Sequence, residues 1–385
     1  MSKEDKLSRV QAALTHNEYD RVPVSDFFWT GFTNNAKKMW GEDCDLYRKF
    51  DLDYVVVNPN LDPVIRDFEI LSQEGEDITL KTGFGATVRR RADLPMPYFE
   101  DFSVENPEDM TGFIIEPADD KRRFNRAGQD QLNCLGDQLV GAIPSWNDRV
   151  NSYVEDFPVF GSVTDGFEYL WRCVGTENAL FWMLTDEELF AQFLQRIGDF
   201  MEEMARLQVA DGRLSGLYIW GDVAYTNSMM FSPDLWRKYF KPIVKRVIDV
   251  CREAGLMTIY HGCGDVREIF DDFVEIGLQG YNPLEAKAGL DAVELKKKYA
   301  NKLAAVGNID VRALETGNKD TIAAEVLYKL KAGEGGGLIV QSDHSVSSLV
   351  KPESYEYMVS LVREYGTYPL DLDRINKKLS EVTLS

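Results

Sequence analysis

Histidine is scarce in this chain: three residues in 385, at His16, His261 and His344. With so few imidazoles available for acid–base or metal chemistry, each position carries weight. Cysteine is thin too. Cys44, Cys134, Cys173, Cys251 and Cys263 form an odd-numbered set with no repeating spacing. That argues against a disulfide framework and fits free thiols in a reducing, cytoplasmic setting. No window approaches roughly 18 consecutive apolar residues, so no membrane-spanning helix is expected. The opening MSKEDKLSRV is charged and lacks the apolar stretch of a secretory signal. Positive charge is in deficit, with 43 Lys and Arg against 64 Asp and Glu, a net charge of -21. A chain this acidic repels phosphate backbones, which makes nucleic acid a poor partner. No G-x-G-x-x-G follows a strand candidate, and this counts against a dinucleotide site.

What the chain does have is apolar material, 44% of its residues, enough for a large core. The second half alternates short apolar runs with amphipathic helices. Strand candidates are Pro158–Val163, Gly216–Gly221, Leu256–His261, Leu278–Asn282, Leu303–Asn308 and Gly337–Ser342, with Val22–Phe27 and Tyr54–Asn58 upstream. They mostly lack strict alternation, as parallel strands covered on both faces do. Thr185 with Glu188 reads as a capping box, Ser232-Pro233 as a helix start, Pro242 as a helix break and Gly255 as a helix end. Eight strand–helix units predict an α/β fold, a (β/α)8 TIM barrel spanning 1–385 as one domain. Residues 66–150 interrupt the alternation after the second strand. They contain a predicted hairpin, Ile78–Thr82 and Ala86–Arg90 around Gly83-Phe84-Gly85, and a polar run from Glu116 to Arg126. The stretch reads as an insertion capping the barrel, or as a solvated excursion without a role.

The sharpest chemical signal is Ile259-Tyr260-His261-Gly262-Cys263-Gly264, where a strand passes into a loop. Strand C-termini form the mouth of an α/β barrel. Residues two apart on a strand share a face, so His261 and Cys263 can converge on one ion, and imidazole with thiolate suits Zn²⁺. The competing reading is a core histidine beside an inert buried cysteine. Glu285 and His344, at the ends of the next and the last strands, are placed as further ligands. Glu285 could instead complement a helix N-terminus, and His344 could hydrogen-bond substrate. Asp343 could orient that imidazole or ligate in its place. Asp222 and Asn308 end two other strands as polar mouth groups, with helix capping as the alternative for each. Tyr260 joins Asp222, Asp343 and Asn308 as a catalytic candidate, and with Phe27, Phe28, Trp29 and Trp220 it belongs to an aromatic set that could line a pocket. His16 looks like a surface helix end.

Taken together, these motifs resemble the uroporphyrinogen decarboxylase superfamily over nearly the whole chain. The resemblance runs through Arg9–Leu14, Asp20-Arg21-Val22-Pro23, Gly221-Asp222, Ser232-Pro233, Tyr260–Gly264, Asn282-Pro283-Leu284-Glu285, Gly307-Asn308-Ile309-Asp310 and Ser342-Asp343-His344-Ser345. It implies a (β/α)8 barrel and one of two chemistries. The decarboxylase itself is metal-free and carries an arginine-rich segment after the first strand, where this chain reads Asp26-Phe27-Phe28-Trp29-Thr30-Gly31. The other branch comprises zinc-dependent, corrinoid-linked methyltransferases, with cobalamin-independent methionine synthase more distant. Its members carry the H-x-C pair, several with a Glu on the following strand and a Cys where His344 stands here. The branch implies Zn²⁺ on His261, Cys263, Glu285 and His344, and a corrinoid (cobalamin) carried by a partner protein. It further implies a small-molecule methyl donor, expected to be a methyl ether such as a methoxy-aromatic, giving up its methyl group to Co(I). Transfer from methylcorrinoid to a thiol or folate is the alternative direction, and a metal-free decarboxylase the rival chemistry. A homodimer is an open assembly state.

Overall fold

The apolar runs become parallel strands. Val159–Thr164, Gly216–Trp220, Met257–His261, Gly280–Asn282, Ala304–Ile309 and Leu338–Ser342 pair in chain order, with Val55–Val56 beside the first. The segment 22–28 closes the ring with few bridges of its own. Val340 N–H donates to Pro23 O (2.8 Å), Ser25 N–H to Val340 O (3.1 Å) and Asp53 N–H to Val24 O (2.7 Å). Eight extended segments thus form the (β/α)8 barrel expected from the sequence. The computed structural model describes residues 2–66, 69–75, 77–90, 97–128 and 144–383. Cys134 lies outside them, and Cys44, Cys173, Cys251 and Cys263 are free thiols. Among the described residues no helix is long and apolar enough to cross a membrane.

Strand alternation sorts side chains into two cores. Inward-facing Phe160, Tyr218, Met257, Ile259, Ala304, Val306 and Ile339 fill the barrel. Their neighbours Val163, Ile219, Tyr260, Tyr281, Ala305 and Val340 pack against the surrounding helices. The first helix, Lys3–Leu14, plugs the N-terminal end of the barrel through Val10, Ala13 and Leu14, while Phe27 and Trp220 cover the interior at the opposite end. Sealing one end leaves the C-terminal mouth as the opening.

The plug is fastened by a buried ion-pair network that accounts for the Arg9 and Asp20-Arg21 positions. Asp53, fully buried, accepts from Arg9, from both terminal nitrogens of Arg21 (2.9 and 3.0 Å) and from Val24 N–H (2.7 Å). Arg9 also pairs with Asp20.

Between the Val55–Val56 strand and the rest of the barrel, Glu69–Glu74, Asp77–Lys81, Thr87–Arg90 and Tyr98–Asp101 form a separate antiparallel sheet. The run Glu116–Arg126 is not merely solvated. Arg123 is fully buried, donates to the carbonyls of Asn60, Asp62, Glu116 and Pro117 at 2.6–3.0 Å and lies over the Phe200 ring. A buried guanidinium satisfied by four carbonyls ties this segment to the loop after the second strand.

The helix boundaries bring one correction. Thr185 ends the helix Thr176–Thr185 and donates to Phe181 O and Asp186 instead of capping the next helix, Glu187–Ala210. Thr185 is itself the last helical residue of its own helix, so the N-cap position of the next one falls on Asp186. Ser232 does cap, accepting from Leu235 N–H (3.3 Å), and the chain breaks between Pro233–Tyr239 and Lys241–Glu253.

At the end of the first extended segment, Asp26 is buried between strands. Its carboxyl takes Phe27 N–H (2.9 Å), Ser342 N–H (3.1 Å) and Ser342 Oγ (2.6 Å). Burial pushes it up to about 7 despite those donors, and burial does the same for Asp165. Ser342 Oγ is also 2.6 Å from His344 O, and its single proton serves both oxygens only if Asp26 supplies one itself. A carboxyl raised in the native state makes the folded chain bind more protons than the unfolded one. Its contribution to stability is therefore full below the ordinary carboxylate range and is lost as pH rises toward about 7. Asp26→Asn, which mimics the neutral form, should flatten the fall in urea-unfolding stability between about pH 4 and pH 7. An unchanged slope contradicts this account of Asp26.

Candidate metal centre

Three side chains converge where the Gly216–Trp220 and Met257–His261 strands end. His261 Nε2 lies 3.8 Å from Cys263 Sγ and 3.8 Å from an Asp222 carboxylate oxygen. The three ligand atoms all fall within 4.8 Å of one another. Two donors on one tetrahedral Zn²⁺, at about 2.0 and 2.3 Å from it, stand roughly 3.5 Å apart. The two spacings from His261 need only a few tenths of an ångström of contraction. One imidazole, one thiol and one carboxylate, with a fourth position left open, form a donor set that suits a catalytic divalent transition metal.

The local backbone explains the convergence. His261 and Cys263 straddle Gly262, so both point toward the mouth. Cys263 N–H donates to Asp222 (2.8 Å), which draws the carboxylate onto the loop. His261 is fixed from the neighbouring strand. In the parallel register it stands beside Asn282, whose Oδ1 is 2.5 Å from His261 Nδ1. Asn282 is fully buried and its Nδ2 donates to Val306 O (2.9 Å), so the amide oxygen must face the imidazole. Nδ1 therefore carries the proton and donates it, leaving the Nε2 lone pair aimed at Cys263 and Asp222. Asn282→Ala should weaken metal binding by about 10- to 100-fold, measured by chelator competition. An unaltered affinity would remove Asn282 from the account.

Charge around the site favours a cation. Burial and the nearby carboxylates Asp222, Glu285 and Asp343 push the Cys263 thiol well up, against a smaller opposing pull from Lys287. Without a cation this sulfur is a thiol, whereas a divalent ion would displace its proton.

The other candidates are held by other partners. Glu285 lies beside Cys263, but one of its oxygens accepts from Gly264 N–H (2.6 Å) and the other pairs with Lys287 (2.8 Å). His344 turns Nδ1 toward Ser345 O (3.1 Å) and meets Trp29 edge-on, with centroids 5.1 Å apart. Asp343 joins two loops, accepting from Ala286 N–H (2.9 Å) and Val311 N–H (2.8 Å). Asn308 is fully buried and holds the 284–292 turn, bonding Leu284 O, Leu290 O and Ala292 N–H. Tyr260 is on the outer face of its strand and has no exposed surface. His16 packs against Lys296 and Gly337, and burial lowers it to about 4.

Of the aromatic set, Phe27 and Trp220 stand beside His261, with centroids 6.1 and 4.7 Å from its ring. Trp29 flanks His344. Phe28 instead turns into the helix layer against Phe32 and Tyr355. The mouth thus has an apolar wall next to its polar donors.

Comparison with known proteins agrees with this architecture. A family model described as uroporphyrinogen decarboxylase (URO-D) matches residues 102–365. The methylcobamide:CoM methyltransferase MtaA of Methanosarcina barkeri is 24% identical over 374 residues, covering 95% of this chain and 99% of that protein. A uroporphyrinogen decarboxylase of Thermus thermophilus is 27% identical over 192 residues, 47% of this chain and 50% of its own length. Among solved structures, a methyltransferase from Methanosarcina mazei superposes with a TM-score of 0.66 at 18% identity, covering 94% of this chain and 98% of that one. The barrel, the mouth motifs and the family match lead to one assignment: the chain belongs to the uroporphyrinogen decarboxylase (URO-D) family.

Proposed function

We propose that this chain is a zinc-dependent methyltransferase that moves a methyl group between a small molecule and a corrinoid carried by a partner protein. The observation that carries the reading is the convergence of Asp222, His261 and Cys263 at the barrel mouth. Similarity to methylcobamide:CoM methyltransferases along 95% of the chain supports it. The place after the first strand where the decarboxylase branch has arginines is occupied here by Asp26, whose carboxyl is buried, and by aromatics. A tetrapyrrole polyacid would find no charge partner in that segment.

His261, Cys263 and Asp222 would hold the zinc, with Asn282 orienting the imidazole. When bound, zinc supplies Lewis-acid stabilisation of the oxygen or sulfur that gives or receives the methyl group. The chain's own part is to present the small molecule at the open position. The wall of Phe27 and Trp220 excludes water from one side and fits an apolar or aromatic group. Cys263 gives up its proton as the site loads, so loading should weaken as pH falls.

The preferred small molecule is a methyl ether, including methoxy-aromatics, acting as donor. It is supported by the aromatic wall and by a donor set with one sulfur and one carboxylate, harder than a site with two thiolates. The reverse direction, with a thiol as acceptor, is favoured by the relatives named for CoM. One assay separates them. The purified protein, loaded with zinc, is mixed with a corrinoid in its Co(I) state and candidate methyl ethers, or with methylcorrinoid and thiols. Donor-dependent appearance of the methyl-Co(III) spectrum supports the ether reading, and acceptor-dependent loss supports the thiol reading. Neither change with any donor or acceptor sinks the methyltransferase proposal.

A further inference from the structure

Two buried tyrosines stand behind the converging donors. Tyr260 and Tyr281 alternate along their strands with His261 and Asn282, so they face the helix layer while those residues face the barrel interior. Both are fully buried, with their rings stacked at 6.0 Å and 19°. Phe273 packs against them, its centroid 4.6 Å from Tyr260 and 5.5 Å from Tyr281. Phenylalanine would fill this space equally well, so the hydroxyls need a reason of their own.

Each hydroxyl ends on a peptide next to a donor. The Tyr260 hydroxyl lies 2.9 Å from both Gly221 O and an Asp165 carboxyl oxygen, with one proton to give between them, and Gly221 immediately precedes Asp222. Tyr281 donates to Gly262 O (2.7 Å), the residue between His261 and Cys263. Glycine is required at both places. A Cβ on Gly221 would fall 2.0 Å from the Tyr260 hydroxyl and 2.5 Å from the Asp165 carboxylate. On Gly262 it would meet Gly221 O at 2.8 Å and the Tyr281 hydroxyl at 3.0 Å. Two small residues and two hydroxyls thus hold the donor-bearing loops from behind.

We infer that Tyr260 and Tyr281 are positioning residues that set the spacing of Asp222, His261 and Cys263 through the carbonyls of Gly221 and Gly262. Asp165 is the second partner of the Tyr260 hydroxyl, beside Gly221. The inference rests on the reading of the three donors as a zinc site. It gives Tyr260 a place in the machinery without contact with substrate.

The test uses the full chain with Tyr260→Phe and Tyr281→Phe, which keep the rings and remove only the hydroxyls. Tyr299→Phe is the control, since its hydroxyl bonds neither loop. Zinc affinity is measured by chelator competition, and ligand geometry by the visible absorption of the Co²⁺-substituted protein. Each site variant should bind zinc about 10- to 100-fold more weakly and shift the Co²⁺ bands, with far-UV circular dichroism unchanged and the control like wild type. Wild-type affinity and spectrum in the folded variants overturn the inference and leave the zinc reading intact. A wild-type chain that binds neither zinc nor Co²⁺ overturns both. The two substitutions report separately, so loss of fold in one leaves the other to decide.

Discussion

Replacing Cys263 with alanine should abolish stoichiometric zinc binding while leaving the barrel folded. Cys263 supplies the only sulfur among the three converging donors, and its backbone N–H also holds Asp222 in place. The substitution keeps that N–H and removes the thiolate, so the loss is one of ligation and not of loop architecture. Two donors, His261 and Asp222, would remain. A mouth site with two protein ligands and water should fall from tight to readily dialysed binding, a loss of at least about 100-fold, since the three-ligand set is the usual minimum for catalytic zinc. The measurement is zinc per chain after exhaustive dialysis, beside a melting curve. Retained zinc in Cys263→Ala would show that the sulfur is a bystander and would move attention to Glu285 and His344. Both of those side chains lie close to the mouth, so the comparison with Glu285→Gln and His344→Ala is informative. Glu285→Gln should lower affinity less than Cys263→Ala does, because its carboxylate is engaged with Gly264 N–H and Lys287.

The largest effect on stability should come from Asp53→Ala. Asp53 receives two guanidinium groups and one backbone N–H in a fully buried position. Removing it leaves Arg9 and Arg21 facing each other away from water. Arg9 keeps Asp20, whereas burial, with like charge from Arg363 and Arg9, already holds the Arg21 guanidinium below its ordinary range. Deleting one partner of a buried pair costs about 3–5 kcal/mol because the remaining charge is uncompensated. Urea unfolding should show a lower midpoint with an unchanged slope. A shift below about 1 kcal/mol would mean that the two arginines find other partners or water, and that the plugging helix is held without Asp53.

How far the sequence reveals this molecule depends on the range of the interactions involved. The six strands of the second half were legible because each is a short apolar run bounded by turn residues. The closing segment 22–28 is legible as apolar but not as irregular, since its few bridges are made with Val340 and Val346 at the other end of the chain. His261 and Cys263 could be paired from period two alone. Asp222 was visible as a polar strand end, but its proximity to His261 follows from strand pairing and from the Cys263 N–H, neither of which is a local signal. Asn282 has no local signal as a partner of the imidazole, and only the alignment of consecutive strands sets it level with His261. Register between neighbouring strands is the signal that points to it. Glu285 reads as a ligand because a carboxylate at a strand end looks like one, and no local signal announces its other partners. Lys287, two residues on, and the Gly264 N–H occupy it only once the turn at Ala286–Ala288 has formed. The position of Tyr260 next to His261 makes it look like a mouth aromatic. Alternation sends it outward, and only the folded barrel brings its hydroxyl to Gly221.

The proposed zinc site is tested most directly by the nearest neighbours of the bound ion. X-ray absorption at the zinc edge of the purified, zinc-loaded protein should show one sulfur at about 2.3 Å and three nitrogen or oxygen neighbours near about 2.0 Å. That is the shell made by Cys263, His261, Asp222 and one exchangeable ligand. A shell with no sulfur or with two, or a protein that takes up no zinc, would contradict it.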